Sequence, residues 1–417
     1  MPFRSLLIAW FSLVFLCAVP ERRARAEDPP SVPAITGRLE TKGELRILSL
    51  WGTEEQRGYA EGYLLAKDIL ELFDGFILHP SNLPAPGLWN LAILPMVKRS
   101  VVVSDATRTR IGAILAGMEA RLGGDALVVE KIGRRMQPED FIATLALPDW
   151  LGFMCSSFVV SGELIEKGEG PIVGRNLDYY SSPSLLDGFL VRVEAPGDAK
   201  AGWVSFSYPG MLGCLTGFSD ECVSLAIHDV PGSVRSSTQY TPRIEAFGRL
   251  IETLRPGDHV AEDAAEFLRR FRFGFGGNLM LGWHGTGGAG GAVFEIDSNA
   301  ALENGVSVRG YGDHPFVVCS NHHRLRAPPS ECNRFQTLER GCELTASLEA
   351  DPLSFDSAWQ LLCKASVEMT LYRCLADLAT GRLRLENRLS SGGFSGTQDL
   401  NFRDMIRAAQ SLALATR

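Results

Sequence analysis

The sequence predicts an α+β protein with helices covering antiparallel strands, and three observations carry that expectation. Up to Met154 the chain holds long helical patterns and little that reads as strand. From Cys155 onward, short runs rich in β-branched and aromatic residues are separated by Gly, Pro or charged turns. Strands and helices then come in groups instead of βαβ alternation, which suits a layered α+β or αββα body. With 417 residues, 45% hydrophobic and 22% charged, the chain can bury a large core in two or three domains or in one layered body.

Each element follows from local pattern. Ser5 to Val19 is apolar and short for a bilayer span but sized for a signal h-region, and Ala24-Arg25-Ala26 reads as its cleavage site. Residues 1–26 are therefore expected to be a signal peptide directing export to the periplasm or beyond. The basic Arg22-Arg23 before the site leaves a retained anchor as the alternative. Residues 27–45 are Pro-rich and polar, an expected linker. Arg46 to Trp51 reads as a strand, and Thr53 with Gln56 has the capping-box spacing of a helix start. Tyr59, Tyr63, Ala66, Ile69, Phe73 and Phe76 recur at three- and four-residue steps on one helix face, and residues 105–122 repeat the pattern. Strands are expected at Cys155 to Val160, Pro171 to Asp178, Phe189 to Val193, Trp203 to Tyr208 and Cys222 to Asp229. Helices follow at Arg243 to Leu254 and Val260 to Phe271, then strands at Asn278 to Trp283, Ala292 to Ile296 and Phe316 to Cys319. A helix at Phe355 to Ala365, a hairpin around Ala379-Thr380-Gly381 and a C-terminal helix from Asn401 complete the chain. This divides it into a helix-rich segment 46–154 and a strand-rich body 155–417.

Composition excludes several classes. Removing residues 1–26 leaves 37 basic against 48 acidic residues, a net charge of −11, with no basic run in the body to bind nucleic acid. Eight cysteines remain: Cys155, Cys214, Cys222, Cys319, Cys332, Cys342, Cys363 and Cys374. They are too dispersed for a disulfide scaffold, although one or two bridges are compatible with export. There is no C-x-x-C pair and no H-E-x-x-H run, so nothing supports a zinc site. Gly285 to Gly290 matches G-x-G-x-x-G, but a strand-like Val293-Phe294-Glu295-Ile296 follows where a dinucleotide site needs a helix, so it reads as a hairpin turn.

The informative stretch is Met154-Cys155-Ser156-Ser157-Phe158, followed after a turn by Gly174-Arg175-Asn176-Leu177-Asp178-Tyr179. Taken alone, Cys155 could be a small buried residue, and Arg175 with Asp178 a structural ion pair. Their position decides otherwise: Cys155 opens the first strand after the helices, and an antiparallel return strand brings Arg175 and Asp178 beside it. These residues resemble the N-terminal-nucleophile (Ntn) hydrolases of the penicillin acyltransferase, acid ceramidase and bile-salt hydrolase type. Arg57-Gly58-Tyr59 with Gly62, Tyr208-Pro209-Gly210-Met211-Leu212, Val317-Val318-Cys319-Ser320-Asn321-His322 and Asn333-Arg334-Phe335 extend the resemblance over nearly the whole mature chain.

The resemblance implies a four-layer αββα sandwich of antiparallel sheets between helical layers, with no cofactor. It also implies scission of the Met154–Cys155 bond, which makes Cys155 N-terminal and lets its α-amino group, with a pKa near 8, act as base for the thiol. None of the seven histidines is then needed in a triad, and His322 and His323 read as polar loop residues. By resemblance Asp178 orients the α-amino group, Arg175 binds it or the substrate carbonyl, Asn321 donates to the oxyanion, and Arg334 lies close to that group. Strand alternation puts residues 175 and 178 on opposite faces, so a bulge or strand end is required. Where relatives carry Asn before an acid, this chain has His228-Asp229, so the second oxyanion contact is altered or falls to backbone N–H. The hairpin from Glu163 to Gly170 is also longer than usual.

The expected activity is hydrolysis of a linear N-acyl amide through an acyl-Cys155 intermediate. Transfer of the acyl group to an amine is the alternative, and an unprocessed binding relative the non-enzymatic one. Hydrolysis is favoured because an exported enzyme has no evident supply of acyl-thioester donors. Trp150, Leu151, Phe153, Tyr179, Tyr180 and Phe218 near the motifs suggest an apolar acyl group, and core packing explains them equally well.

Overall fold

The structure is a computed structural model and describes residues 34–166, 170–197, 199–230, 239–298, 305–326, 344–345, 347, 349 and 352–415. The expected signal peptide, Arg334, Cys332 and Cys342 lie outside the described residues. In the first part of the chain, strands β1 (Gly37–Lys42) and β2 (Leu45–Gly52) precede helices α1 (Glu54–Leu64), α2 (Ala66–Leu72), α3 (Leu94–Ser100) and α4 (Asp105–Leu122). The short pair β3 (Val128–Val129) and β4 (Arg134–Arg135) and helix α5 (Pro138–Leu151) follow. Then come β5 (Met154–Val160), β6 (Ile172–Asp178), α6 (Pro183–Asp187), β7 (Leu190–Pro196), β8 (Trp203–Ser207), β9 (Thr216–Ser219) and β10 (Val223–Asp229). The remainder is α7 (Arg243–Thr253), α8 (Val260–Arg269), β11 (Gly277–Gly285), β12 (Gly288–Ile296), β13 (Val306–Arg309), β14 (Phe316–Cys319), α9 (Phe355–Lys364), β15 (Thr370–Asp377), β16 (Arg382–Asn387), β17 (Gln398–Asn401) and α10 (Phe402–Ala415).

Two sheets organise these elements. The larger runs β1-β2-β7-β8-β9-β10-β11-β12-β13 and the smaller β14-β5-β6-β15-β16-β17. Every pair is antiparallel except β2 with β7. In β5 and β6 period-2 alternation sends Cys155, Val159, Val173 and Leu177 into the main core between the sheets. Phe158, Val160 and Ile172 point instead to a second core under α9, with Phe355, Ala358 and Leu362. Helices α1 and α7 cover the other face of the larger sheet, with α4 packed on α1, so the order of layers is αββα, as expected.

Some expectations need correction. Residues 27–45 are not linker throughout, because Gly37–Lys42 form β1, turning at Gly43 (φ +61°) into β2. As an edge strand with one half-covered face, β1 carries no apolar alternation to betray it. Thr53 and Gln56 do form the capping box, but the expected long helix bends at Leu65 and relaxes into a π turn at Phe73–Ile77. The glycine-rich stretch is a hairpin turn, with Gly285 paired to Gly288 between β11 and β12.

Helix α1 is buried on a polar side as well as an apolar one. It crosses α4 so closely that a Cβ on Gly62 would lie 2.0 Å from the Ile114 carbonyl oxygen, and one on Gly117 2.2 Å from that of Tyr59. Between α1, α4 and β7 lies a buried charge network. Glu194 takes Arg57 Nη1 at 2.6 Å and Arg110 Nη2 at 2.5 Å, while Glu61 takes Arg192 Nη2 at 2.5 Å and Arg110 Nη2 at 3.2 Å. Burial alone would raise the Glu194 carboxyl, but Arg110, Arg57 and Arg192 outweigh it and hold it down at about 2. A cleft of about 280 Å³ lined by Glu54, Arg110, Lys200 and Glu252 opens beside this network on the outer face of the larger sheet, so it is distinct from the space between the sheets.

Candidate active site

Strand register builds the site. Antiparallel pairing of β5 with β6 sets Ser157 opposite Arg175 and Cys155 opposite Leu177, so Cys155, Ser157 and Arg175 share the face turned toward the larger sheet. From that sheet His228, at the end of β10, meets them. Arg175 Nη2 donates to Cys155 Sγ at 3.2 Å and Nη1 to His228 Nε2 at 3.2 Å, while Ser157 Oγ lies 2.5 Å from the same Nε2. A guanidinium can only donate, so Nε2 carries a lone pair and the imidazole proton sits on Nδ1. Cys155, Arg175, His228 and Asn321 are all buried, and the thiol has no exposed surface.

Burial pushes the Cys155 thiol up to about 12; Arg175 opposes the shift, whereas Asp178 and Asp229 add to it. The thiol is therefore protonated at neutral pH. The six described cysteines, Cys155, Cys214, Cys222, Cys319, Cys363 and Cys374, are all free thiols.

Asn321 sits just past β14 and reads both sides of the Met154–Cys155 bond. Its Oδ1 accepts the Cys155 N–H at 2.7 Å, and its Nδ2 donates to the carbonyl oxygens of Phe153 at 2.9 Å and Asp229 at 2.7 Å. Both amide protons are thus engaged. Asp178, expected to hold the α-amino group, ends β6 opposite Met154 and accepts from Thr370 Oγ1 at 2.6 Å. Within β6 the pairing with β5 is regular through Asp178, which is the last residue of the strand, and the register shift nearby is an extra residue in β15 between Thr370 and Tyr372.

Asp229 lies at the site but is no oxyanion donor, because a carboxylate only accepts. One oxygen takes the Phe153 N–H and the other Arg243 Nη2 at 2.7 Å. Arg243 also donates through Nε to Asp149 at 2.5 Å, tying α5 to α7. Sequence reading missed both Arg243 and Asp149, which lie in ordinary helical sequence and meet only in three dimensions. Two carboxylates share this one guanidinium, and burial, against the pull of Arg243, raises Asp149 to about 6. Because the folded state then binds the proton more tightly than the unfolded chain, Asp149 makes stability fall as pH rises from about 4 to about 6. Asp149→Asn is expected to remove a drop of about 2–3 kcal/mol over that window, measured by urea unfolding at both ends.

The Asn321 turn is clamped from the larger sheet. Asn278 Nδ2 donates to the carbonyls of Ser320 at 3.0 Å and His322 at 2.9 Å. The fully buried Glu295 accepts the backbone N–H groups of Arg324, Leu325 and Arg326 at 2.7, 2.8 and 2.9 Å. His322 is held neutral, pushed down to about 4 by burial and by Arg324 and Arg309, while His323 binds the Gly277 carbonyl at 3.3 Å. Glu295→Gln replaces one of the two acceptor oxygens by an NH2, which then faces a backbone N–H it cannot accept. It is expected to cost about 2–3 kcal/mol and to strip hydrogen-exchange protection from residues 320–326.

The aromatic candidates divide. Phe153 packs on Tyr179 with ring centroids 4.7 Å apart, and Phe76 and Tyr180 stand 6.1 and 5.9 Å from Tyr179. Phe218 instead packs on Phe206 and Phe402 in the core, and Trp150 donates to Tyr240. Among the described residues no group of acidic, His and Cys side chains could hold a metal ion. No described helix is long and apolar enough to cross a membrane.

No family model matches the sequence, and no curated protein matches it. Similar folds are found among solved structures. A Caenorhabditis elegans ortholog of N-acylethanolamine-hydrolyzing acid amidase is 15% identical over 54% of this chain and 93% of its own, with a TM-score of 0.38. A mutant conjugated bile acid hydrolase from Clostridium perfringens is 10% identical over 60% of this chain and 93% of its own, with a TM-score of 0.41. Penicillin V acylase from Agrobacterium tumefaciens is 14% identical over 59% and 91%, with a TM-score of 0.39.

Proposed function

We propose that this chain is an exported cysteine amidohydrolase of the N-terminal-nucleophile type, made as a precursor that cuts its own Met154–Cys155 bond. The observation that carries the reading is the convergence on one residue: Cys155 Sγ receives Arg175, and its backbone nitrogen is held by Asn321. A protonated, sealed thiol suits a precursor. Scission frees an α-amino group beside Sγ, which supplies the base that the uncut site lacks. In turnover the thiolate attacks an amide carbonyl, Arg175 and Asn321 stabilise the developing charge, and water releases the acid from the thioester. Asp178, next to the cut, then orients the new ammonium, and Arg334 is assigned beside Asn321 by resemblance. An N-acyl amide with an apolar acyl group is the proposed substrate, cleaved by hydrolysis.

The test is N-terminal sequencing and intact mass of the purified protein, followed by assay of acid and amine release from N-acyl amines and short peptides. A second N-terminus reading Cys-Ser-Ser-Phe with amide turnover is expected. One intact chain that hydrolyses nothing would point to the binding-protein alternative.

A further inference from the structure

Self-cleavage and turnover, as proposed above, pass through the same kind of covalent intermediate, and that identity locates the acyl subsite. In self-cleavage Cys155 Sγ adds to the Met154 carbonyl carbon, the C–N bond to Cys155 breaks, and the thiol proton ends on the Cys155 nitrogen. A thioester then joins Met154 to Sγ. Water adds to its carbonyl, leaving a Met154 carboxylic acid and restoring the thiol. The first acyl group this thiol ever carries is therefore the chain's own Phe153–Met154 tail.

We propose that the slot filled by this tail in the uncut chain is the substrate's acyl subsite, and that it takes a straight apolar acyl group of medium length. The tail enters it under tight control: Asp229 holds the Phe153 N–H, and Asn321 Nδ2 holds the Phe153 carbonyl at 2.9 Å. The Phe153 ring packs against Tyr179, whose ring also meets Phe76. Tyr180, 70% exposed, marks the outer end. Covalent structure measures the depth. From the Met154 carbonyl carbon through both backbones to the far edge of the Phe153 ring is a path of about ten atoms. A decanoyl chain starting from the same carbonyl carbon reaches the same depth.

The proposal rests on the amidohydrolase reading, and its test separates the two. Purified protein is first checked for the Cys155 N-terminus, then assayed with butanoyl, decanoyl and hexadecanoyl p-nitroanilides. Burial of each methylene should raise kcat/KM roughly fourfold up to decanoyl, with no further rise at hexadecanoyl. In Tyr179→Ala the decanoyl-to-butanoyl ratio should fall at least tenfold. A cut, active protein that prefers butanoyl, or rises steadily to hexadecanoyl, overturns the subsite while leaving the amidase reading intact. An uncut protein without turnover overturns both. Should Tyr179→Ala fail to fold, the wild-type chain-length profile decides alone.

Discussion

Cys155→Ala is expected to remain a single chain and to lose amide turnover by at least four orders of magnitude, whereas wild type resolves into two polypeptides by intact mass. No described group near Met154 replaces the thiol: Ser157 is nearby but directs its hydroxyl to His228 at 2.5 Å. Cys155→Ser separates the steps. Its hydroxyl keeps the size and hydrogen-bonding of the thiol but is a far poorer nucleophile, so slow cleavage over days with little turnover is expected. Complete processing of Cys155→Ala would assign the cut to another agent and remove the intramolecular step.

The largest stability effect is expected far from the thiol, at Glu194. Its carboxylate receives Arg57, Arg110 and, at 3.6 Å, Arg192, and none of its surface is exposed. Glu194→Gln leaves three buried guanidinium groups with one anion fewer, and breaking a buried pair from one side typically costs about 3–5 kcal/mol. Urea unfolding in the uncut Cys155→Ala background measures this without interference from processing. Adding Arg110→Met should recover part of the loss, since it removes the cation left over. The sign with pH follows: the network stabilises fully above the ordinary Glu range and fails as pH drops through about 2.

Much of the architecture was legible because its signals are local. The capping box at Thr53 and Gln56, α4 at Asp105–Leu122 and strands β5 and β6 each follow from a short pattern and occur where expected. What escaped depends on partners distant in sequence. The four-residue β9, Thr-Gly-Phe-Ser, is too short to display alternation and is a strand only because β8 and β10 flank it. Arg57 and Glu61 look like the solvent face of α1, and only α4 and β7 make that face interior. At the site, Cys155, Arg175, Asn321, His228 and Asp229 were legible as candidates. Their assignments shifted: Asn321 has both amide protons engaged, His228 accepts from Arg175, and Asp229 grips Phe153. Asp149, Arg243, Asn278 and Glu295 carry no motif. Each acts by holding a neighbour, a role that leaves no fixed spacing in sequence.

The parallel pairing of β2 with β7 joins the two sides of the proposed cut within one sheet, since β2 precedes Met154 and β7 follows it. After scission the halves would stay locked together without a covalent tether, so the first folding is unimolecular and any later one is a reaction between two separate chains. Dilution would then penalise recovery in a way the newborn protein never experiences. Such an enzyme has one chance to fold easily, and its working lifetime afterward is governed by how slowly it comes apart.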